Sequence, residues 1–142
     1  MLHTARVIVA ALGVWDKDDV LPLFEDPANS GGDSFVIKGR TDLVSANIPL
    51  TSIDKLARDL RLPRVDFIKM DIEGSEPKAL AGGKQTIAKY KPRMSISAYH
   101  APDHPESIPR AVKDAFAGYQ TECGPCAETH WAVRPDILYF HP

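Results

Sequence analysis

The stretch that most constrains this chain is residues 65–76, VDFIKMDIEGSE, where two charged side chains interrupt an apolar run. The apolar residues predict a strand, and the residues just before it are typical of a turn. Lys69 and Asp71 are two positions apart, so their side chains point to the same face of a strand. A strand covered by helices is normally almost wholly apolar, and a charge pair near its carboxyl end is costly unless it is paired or used. The end of this strand is therefore the first candidate for a functional site.

A turn and a helix are predicted directly after the strand. Ser75 is suited to cap the helix, and Glu76 suits its first turn. Asp71, Glu73 and Glu76 thus crowd one strand-to-helix turn, and ligands of open α/β sheets bind outside the carboxyl ends of the strands. The alternative is purely structural: Lys69 and Asp71 form an ion pair, and the two glutamates only stabilise a helix N-terminus.

Length and composition limit the class of protein. With 142 residues, 44% of them hydrophobic and 25% charged, the chain has the size and composition of a single globular domain, residues 1–142. A net charge of −2 without long charged runs gives no indication of nucleic acid or membrane as a partner. The amino terminus lacks the pattern of a signal peptide, so a cytoplasmic location is expected.

Hydrophobic periodicity predicts an α/β fold. Strands are predicted at 6–12, 20–24, 65–72, 93–99, 119–122 and 136–140, with a further edge strand at 34–37. Helices are predicted after a Thr51 cap, at 76–90 with a weak point at Gly82-Gly83, and at 107–116. The segment 47–50 is expected to lead into the first helix. This alternation predicts a mostly parallel sheet with an antiparallel pair of strands at the C-terminal end.

Several motifs together resemble the FkbM-type S-adenosylmethionine-dependent methyltransferases. The central match is VDFIKMDIEGSE followed by KALAGG and KPRMSISAYH, and it is extended by VAALGVWDKD, IPLTSIDKL and the closing LYFHP. The resemblance implies a Rossmann-like class I methyltransferase sheet, S-adenosylmethionine as cofactor, and methylation of a small-molecule or sugar hydroxyl. It also implies that Ala11 and Leu12, at the end of the first predicted strand, lie against the adenine.

The chain departs from the family pattern at its start. The glycine-rich cofactor loop and the ribose-binding carboxylate of the family's first two strands are not found, and no glycines fit G-x-G-x-x-G. The expectation is an incomplete domain, lacking the first two strands. A non-catalytic remnant remains the alternative, in which the exposed sheet edge left by the missing strands permits self-association or binding of a partner.

The resemblance also implies roles for the residues at the strand ends. Asp71 is expected to line the pocket for the cofactor methyl group and the acceptor, and His100, after the next strand, is a candidate proton acceptor. Lys69 is expected to hold Asp71 ionised. Glu73 is expected to help place the acceptor or a hard cation, although no metal site is assigned. The alternative for His100 is a loop residue in water.

A second signal is Cys123-Gly-Pro-Cys126, which matches the thioredoxin redox motif. The context is unfavourable, because the motif comes late in the chain and no helical pattern follows it. A zinc site that combines both cysteines with His130 and another histidine is a further alternative. The default expectation is a turn with two reduced thiols between the closing strands.

Overall fold

The computed structural model describes residues 6–26, 31–37, 44–128 and 133–142. Within these ranges it has four helices: α1 (Ile53–Asp59), α2 (Glu76–Ala81), α3 (Lys84–Tyr90) and α4 (His104–Ala115). The strands are β1 (Gly13–Trp15), β2 (Asp19–Phe24), β3 (Val44–Ser52), β4 (Phe67–Met70), β5 (Arg93–Ser97), β6 (Gln120–Cys123), β7 (Cys126–Glu128), β8 (Val133–Pro135) and β9 (Ile137–His141). The predicted mixed α/β class is confirmed.

The main sheet has four strands in the order β4-β5-β9-β6. β4 and β5 are parallel, whereas β9 is antiparallel to both β5 and β6, which confirms the antiparallel pair at the C-terminal end. A smaller sheet has the order β1-β3-β2, and β7 and β8 form a two-stranded hairpin. The prediction of a mostly parallel sheet is wrong for the described residues, where only β1/β3 and β4/β5 pair in parallel.

The hydrophobic core lies between the main sheet and the helices that follow β4 and β5. Its most deeply buried apolar side chains are Leu80, Ile87, Met94, Ile96, Ile108, Val112 and Phe140. Each side chain of this size contributes about 1.5–3 kcal/mol when it is fully buried. The core therefore fixes β5, α2 and α4 relative to one another, and with them the residues at the strand ends.

The strand β4 is less covered than the sequence predicted. Among the described strands it lies at one edge of the main sheet, and Phe67 is 57% exposed. Lys69 lies on the same exposed face, and only Met70 of this strand is buried. An ion pair on such a surface costs little and stabilises by about 0–1 kcal/mol. The desolvation argument for the charged residues of β4 therefore does not hold, and their role depends on the geometry of the strand end.

Residues 6–12, predicted as a buried first strand, form no strand. Pairing begins only at Gly13, which lies opposite Leu50 of β3, and the preceding Val7 and Val9 are exposed. An apolar run favours a strand only when a neighbouring strand is present, and none of the described residues pairs with this segment. The edge strand predicted at 34–37 is likewise reduced to one bridge between Ser34 and Phe24.

The sequence prediction missed β3, the middle strand of the small sheet. It includes Pro49, and proline is unfavourable inside a strand because it has no backbone N–H to donate. Pairing of β3 with β1 begins one residue later, at Leu50, so at Pro49 the strand has a neighbour on one side only. Proline is tolerated at such a position.

The predicted helix 76–90 is divided into α2 and α3 at Gly82-Gly83. A Cβ atom on Gly82 would lie 2.2 Å from the carbonyl oxygen of Trp15, so a side chain is excluded by the backbone next to β1. The break also creates a helix N-terminus whose amide groups need acceptors. Asp54 supplies them, because its carboxylate accepts hydrogen bonds from the backbone N–H groups of Gln85 and Thr86 at 3.1 and 2.7 Å.

Two predictions about the first helix and the helix after β5 need correction. Ser52, not Thr51, caps α1, and its hydroxyl accepts a hydrogen bond from the backbone N–H of Lys55 at 3.1 Å. Helix α4 begins at His104, three residues before the predicted start. None of the helices in the described ranges is long and apolar enough to cross a membrane.

The cysteines are joined by a disulfide between Cys123 and Cys126, so the expectation of reduced thiols is wrong. A strand rather than a helix begins at Cys126, and the helix that a thioredoxin motif requires is therefore not present at this position. His130, the proposed partner in a zinc site, lies outside the described residues.

Replacing Tyr119 by phenylalanine tests the packing at the base of the main sheet. The buried Tyr119 hydroxyl donates a hydrogen bond of 2.6 Å to the carbonyl oxygen of Pro92. Without the donor this carbonyl loses its partner, so Tyr119→Phe should lower the free energy of unfolding by about 1–3 kcal/mol in urea denaturation. Tyr139→Phe is the matched control, because this ring is 40% exposed and its replacement should be nearly neutral.

The same tyrosine gives a pH signature. Burial raises the pKa of Tyr119 to about 12, compared with about 10 in an unfolded chain. Between these values the unfolded chain loses the proton while the folded protein keeps it, so stability falls as the pH rises from about 10 to about 12. Tyr119→Phe should reduce this loss. An identical alkaline decline in both proteins would contradict the assignment.

Candidate functional site

The parallel pairing of β4 with β5 brings the predicted residues together at one end of the main sheet. Lys69 is in register with Ser95, so the chain segments that follow both strands leave the sheet side by side. The Nε2 atom of His100 lies 3.4 Å from Oδ1 of Asp71, and the Nζ atom of Lys69 lies 3.3 Å from Oδ2 of the same carboxylate. The structure therefore places Asp71 and His100, both predicted site residues, side by side.

Asp71 is held by several donors and still faces solvent. Its side chain is 34% exposed, and the Tyr99 hydroxyl donates to Oδ1 at 3.2 Å. Burial alone would raise the pKa of Asp71, but the hydrogen bonds from its neighbours, led by Ser97, and the charge of Lys69 outweigh burial and lower it. The group is consequently a carboxylate at neutral pH, with surface left for another molecule.

His100 is not a loop residue in water, because only 3% of its side chain is exposed. Its Nε2 atom also lies 3.3 Å from Oε1 of Glu73, and its Nδ1 atom lies 3.0 Å from Oε1 of Glu76. These separations are short, yet the directions do not meet hydrogen-bond geometry, and within the described part of the chain neither ring nitrogen has a hydrogen bond. The imidazole is thus surrounded by three carboxylates without a well-directed partner.

Glu76 is the innermost of the three carboxylates and has no exposed surface. Its Oε1 atom accepts a hydrogen bond of 2.9 Å from the backbone N–H of Ile72, which closes the turn between β4 and α2. Its Oε2 atom is buried without a hydrogen bond among the described residues. The position of Glu76 in the first turn of α2 therefore explains the hydrogen bond to Oε1, whereas Oε2 has no partner among the described residues.

The turn itself has a conformation that L-residues rarely adopt. Glu73 has φ 51° and Gly74 has φ 96°. Such a conformation costs of order 1–3 kcal/mol at a non-glycine residue and persists only where neighbouring structure enforces it. Ser34 supplies part of that enforcement, because its buried hydroxyl donates to the carbonyl oxygen of Glu73 at 2.5 Å. The Ser34 hydroxyl oxygen in turn accepts hydrogen bonds from the backbone N–H groups of Val36 and Ile37.

His104 completes the cluster, although the sequence prediction placed it only in a loop. It is the first residue of α4, is 3% exposed, and its Nδ1 atom lies 3.7 Å from Oε2 of Glu76. Burial lowers the pKa of His104 more than the charge of Glu76 raises it. The signal in the sequence was the pair His100 and His104 separated by three residues, a spacing found in metal-binding motifs.

Two groups of ligand atoms in this cluster are close enough to hold a metal ion. One consists of Glu76, His100 and His104, and the other of Asp71, Glu73 and His100; in each, the atoms lie within 4.8 Å of one another. The first group is buried, whereas the carboxylates of the second are partly open to solvent. The residues predicted to contact the cofactor adenine, Ala11 and Leu12, are exposed in a segment without secondary structure.

Comparison with known proteins gives the family. Residues 7–124 match the model of the methyltransferase FkbM domain. The chain therefore belongs to this family, and the resemblance carried by its motifs is confirmed. The family suggests methyltransferase activity in general.

A solved structure supports the assignment. The crystal structure of methyltransferase FkbM from Methylobacillus flagellatus KT is similar to this chain, with a TM-score of 0.63 and 25% sequence identity. The match covers 96% of this chain but 28% of the other, so the chain spans less than a third of that protein's length. No curated protein matches the chain.

Replacing Ser34 by alanine tests how the turn is held. The change removes the donor to the Glu73 carbonyl and the acceptor for two backbone amides. Ser34→Ala should lower the free energy of unfolding by about 1–3 kcal/mol and speed amide hydrogen exchange at Glu73 and Gly74. Ser107→Ala removes a hydroxyl that has no hydrogen bond in the described residues and is the matched control. Equal effects of the two changes would contradict the role of Ser34.

Proposed function

We propose that this chain is part of a Rossmann-like, S-adenosylmethionine-dependent O-methyltransferase domain, and that it supplies the acceptor side of the reaction. The acceptor class is a small-molecule or sugar hydroxyl. The observation that carries the proposal is the Asp71 carboxylate, which projects from the end of β4 with open surface and four polar neighbours. The family membership supplies the reaction type, and the cytoplasm remains the expected location.

Asp71 has the properties that a hydroxyl acceptor requires. Its lowered pKa keeps it in the form that accepts a hydrogen bond, and its 34% exposure leaves an oxygen accessible to the acceptor. When the hydroxyl oxygen forms its new bond to carbon, its proton becomes acidic and passes to a base within hydrogen-bond reach. Holding the hydroxyl in line with the methyl carbon lowers the barrier by several kcal/mol more. Among the described residues, Asp71 is the group best placed to accept the hydroxyl proton and to hold the hydroxyl in line with the methyl carbon.

His100 has a different role from the one that the sequence suggested. At 3% exposure its ring is behind the two carboxylates and does not reach a molecule in solvent without rearrangement. Its Nε2 atom lies between Asp71 and Glu73, at 3.4 and 3.3 Å. We therefore treat His100 as a positioning residue that orients Asp71, with Lys69 as the cation that stabilises the ionised carboxylate. Glu73, whose side chain is 25% exposed, is placed to contact the acceptor.

The described residues do not by themselves form a pocket for S-adenosylmethionine. Leu12 is 42% exposed, and the segment that contains Ala11 and Leu12 has no strand from which to position an adenine. Gly13 is used for packing, because a Cβ atom there would lie 2.2 Å from the side chain of Leu50. These positions do not fit the cofactor role that the resemblance implied, and no step of the proposed chemistry is derived from them.

Replacing Asp71 by asparagine tests the proposed role. The change keeps the shape of the side chain but removes the charge that accepts a proton. In the complete methyltransferase domain of which this chain is a part, methyl transfer from S-adenosylmethionine to a panel of sugars and small hydroxyl compounds, measured by release of S-adenosylhomocysteine, should fall by about 10²–10⁴-fold. Asp66→Asn is the control, because Asp66 precedes the opposite end of β4 and forms an exposed pair with Arg64.

Calorimetry with S-adenosylhomocysteine separates the possible failures. Binding by both proteins, with turnover lost only in Asp71→Asn, agrees with the proposal. Binding with equal turnover would remove Asp71 from the mechanism. A complete wild-type domain that neither binds S-adenosylhomocysteine nor turns over would contradict the proposal and would favour the second candidate function.

That second candidate is an association module. Among the described strands, β4 lies at an edge of the main sheet and pairs on one side only, and Phe67 at its start is 57% exposed. A cavity of about 350 Å³ adjoins it, lined by Phe67, Arg93, Met94, Tyr139, Phe140 and His141. Exposed apolar residues on an edge strand favour pairing with another chain.

Sedimentation equilibrium tests the association. The wild-type chain should show a concentration-dependent dimer, and Phe67→Lys should weaken it because a charge on an edge strand opposes pairing. Leu60→Lys, at an exposed position that ends α1 and lies on no strand, is the control and should leave association unchanged. A chain that is monomeric at all concentrations would contradict self-association.

A further inference from the structure

We propose that Glu76, His100 and His104 form a buried binding site for a divalent transition-metal ion of the zinc class. The three residues come from the first turn of α2, the segment after β5 and the first turn of α4. The proposal goes beyond methyl transfer and does not depend on it, because it concerns atoms on the inner side of His100, away from the open surface of Asp71.

The first argument is that the buried polar atoms of these residues lack partners. Oε2 of Glu76, Nδ1 of His100 and Nδ1 of His104 are all buried, and none has a hydrogen bond within the described ranges. In folded proteins nearly all such atoms are satisfied, and an unsatisfied group requires an explanation such as an ion. Here three unsatisfied atoms are on neighbouring side chains, and one cation at their centre would satisfy all of them.

The distances suit a metal ion. The Nδ1 atom of His100 lies 3.0 Å from one oxygen of Glu76, and the Nδ1 atom of His104 lies 3.7 Å from the other. Ligand atoms about 2.1 Å from a tetrahedral zinc ion are about 3.4 Å from one another. The separation between Nδ1 of His104 and Oε2 of Glu76 is close to that value, whereas the shorter contact of His100 is to Oε1, and one ligand atom from each of the three residues lies within 4.8 Å of the others. Small side-chain shifts therefore suffice to close the site.

The charge of Glu76 gives a third argument. Its side chain is fully buried, and a buried carboxylate is costly unless a positive charge compensates it. Among the described residues, no lysine or arginine nitrogen lies within 4.0 Å of the Glu76 carboxylate. The titratable side chains next to it are the imidazoles of His100 and His104. A divalent cation would supply the missing positive charge and would be coordinated by neutral rings.

The ligand set indicates which metal. Two imidazoles and one carboxylate match the three-ligand sites in which zinc keeps an open position for water or substrate, whereas Mg²⁺ and Ca²⁺ prefer oxygen ligands. Carboxylates are also close to the outer nitrogen of His100, as they are to the second nitrogen of most ligating histidines. The Nε2 atom of His100 lies 3.3–3.4 Å from Glu73 and Asp71. The alternative group of Asp71, Glu73 and His100 is more exposed and has only one nitrogen ligand.

The test measures zinc binding by the full chain after removal of metal with a chelator. Equilibrium dialysis and elemental analysis should find one zinc ion per chain, and Co²⁺ substitution should give the visible absorption of a tetrahedral site. His104→Gln and Glu76→Gln should each weaken the zinc affinity by more than about 100-fold, since replacing an outer partner of a metal ligand typically costs ~10–100-fold. His141→Gln is the control, because His141 forms a comparable but exposed pair with Glu122 and should bind as the wild type does.

Several outcomes would overturn the proposal. Failure of the metal-free wild-type chain to bind zinc would contradict the proposal. This result needs no variant, whereas Glu76→Gln removes a charge from the interior and can impair folding. Zinc binding by the His104→Gln variant at wild-type affinity would also contradict the proposal. If Cys123→Ser/Cys126→Ser lost zinc while His104→Gln kept it, the metal would belong to the cysteines. Unchanged binding in the cysteine variant agrees with the proposal.

Discussion

The carboxylate of Glu76 is fully buried, and the arrangement of the strand ends follows from the need to compensate it. One oxygen is satisfied by the backbone N–H of Ile72. The other faces His104, and His100 contacts the group from the side of β5. Removing a charge partner from a buried group of this kind costs several kcal/mol, so the three residues constrain one another. The partly exposed carboxylates of Asp71 and Glu73 contact the same His100 ring at its other nitrogen, Nε2. Their positions therefore depend on Glu76 through the His100 ring.

The sheet topology delivers these residues to one place. Parallel pairing of β4 and β5 aligns their carboxyl ends, and the short segment after β5 places His100 just before α4, whose first residue is His104. The loop containing Ser34 binds the turn from outside, and the guanidinium of Arg134 donates to the carbonyl oxygen of Ala101 at 2.9 Å. The site is therefore built on rigid elements and closed by loops, which is the arrangement that holds catalytic groups in place.

The local features of this fold were readable from the sequence, and the long-range ones were not. Strand alternation placed Lys69 and Asp71 on one face, and the ends of two successive strands gave Asp71 and His100 as candidate site residues. The role of Glu76 was missed because first-turn glutamates are usually exposed, and its burial depends on α4, which is distant in sequence. The segment 6–12 was misjudged for a related reason, since an apolar run becomes a strand only when a neighbouring strand pairs with it.

The proposed methyl transfer and the proposed metal site, formed by Glu76, His100 and His104, use different surfaces at the same strand ends. Methyl transfer concerns the outer surface of Asp71, whereas metal binding concerns the inner surface of His100, and the imidazole ring connects the two. X-ray diffraction at the zinc absorption edge from a zinc-soaked crystal tests this connection most directly. The account predicts one strong anomalous peak about 2.1 Å from Glu76, His100 and His104. A zinc-soaked crystal without density at that position, and with His100 turned toward solvent, would contradict it.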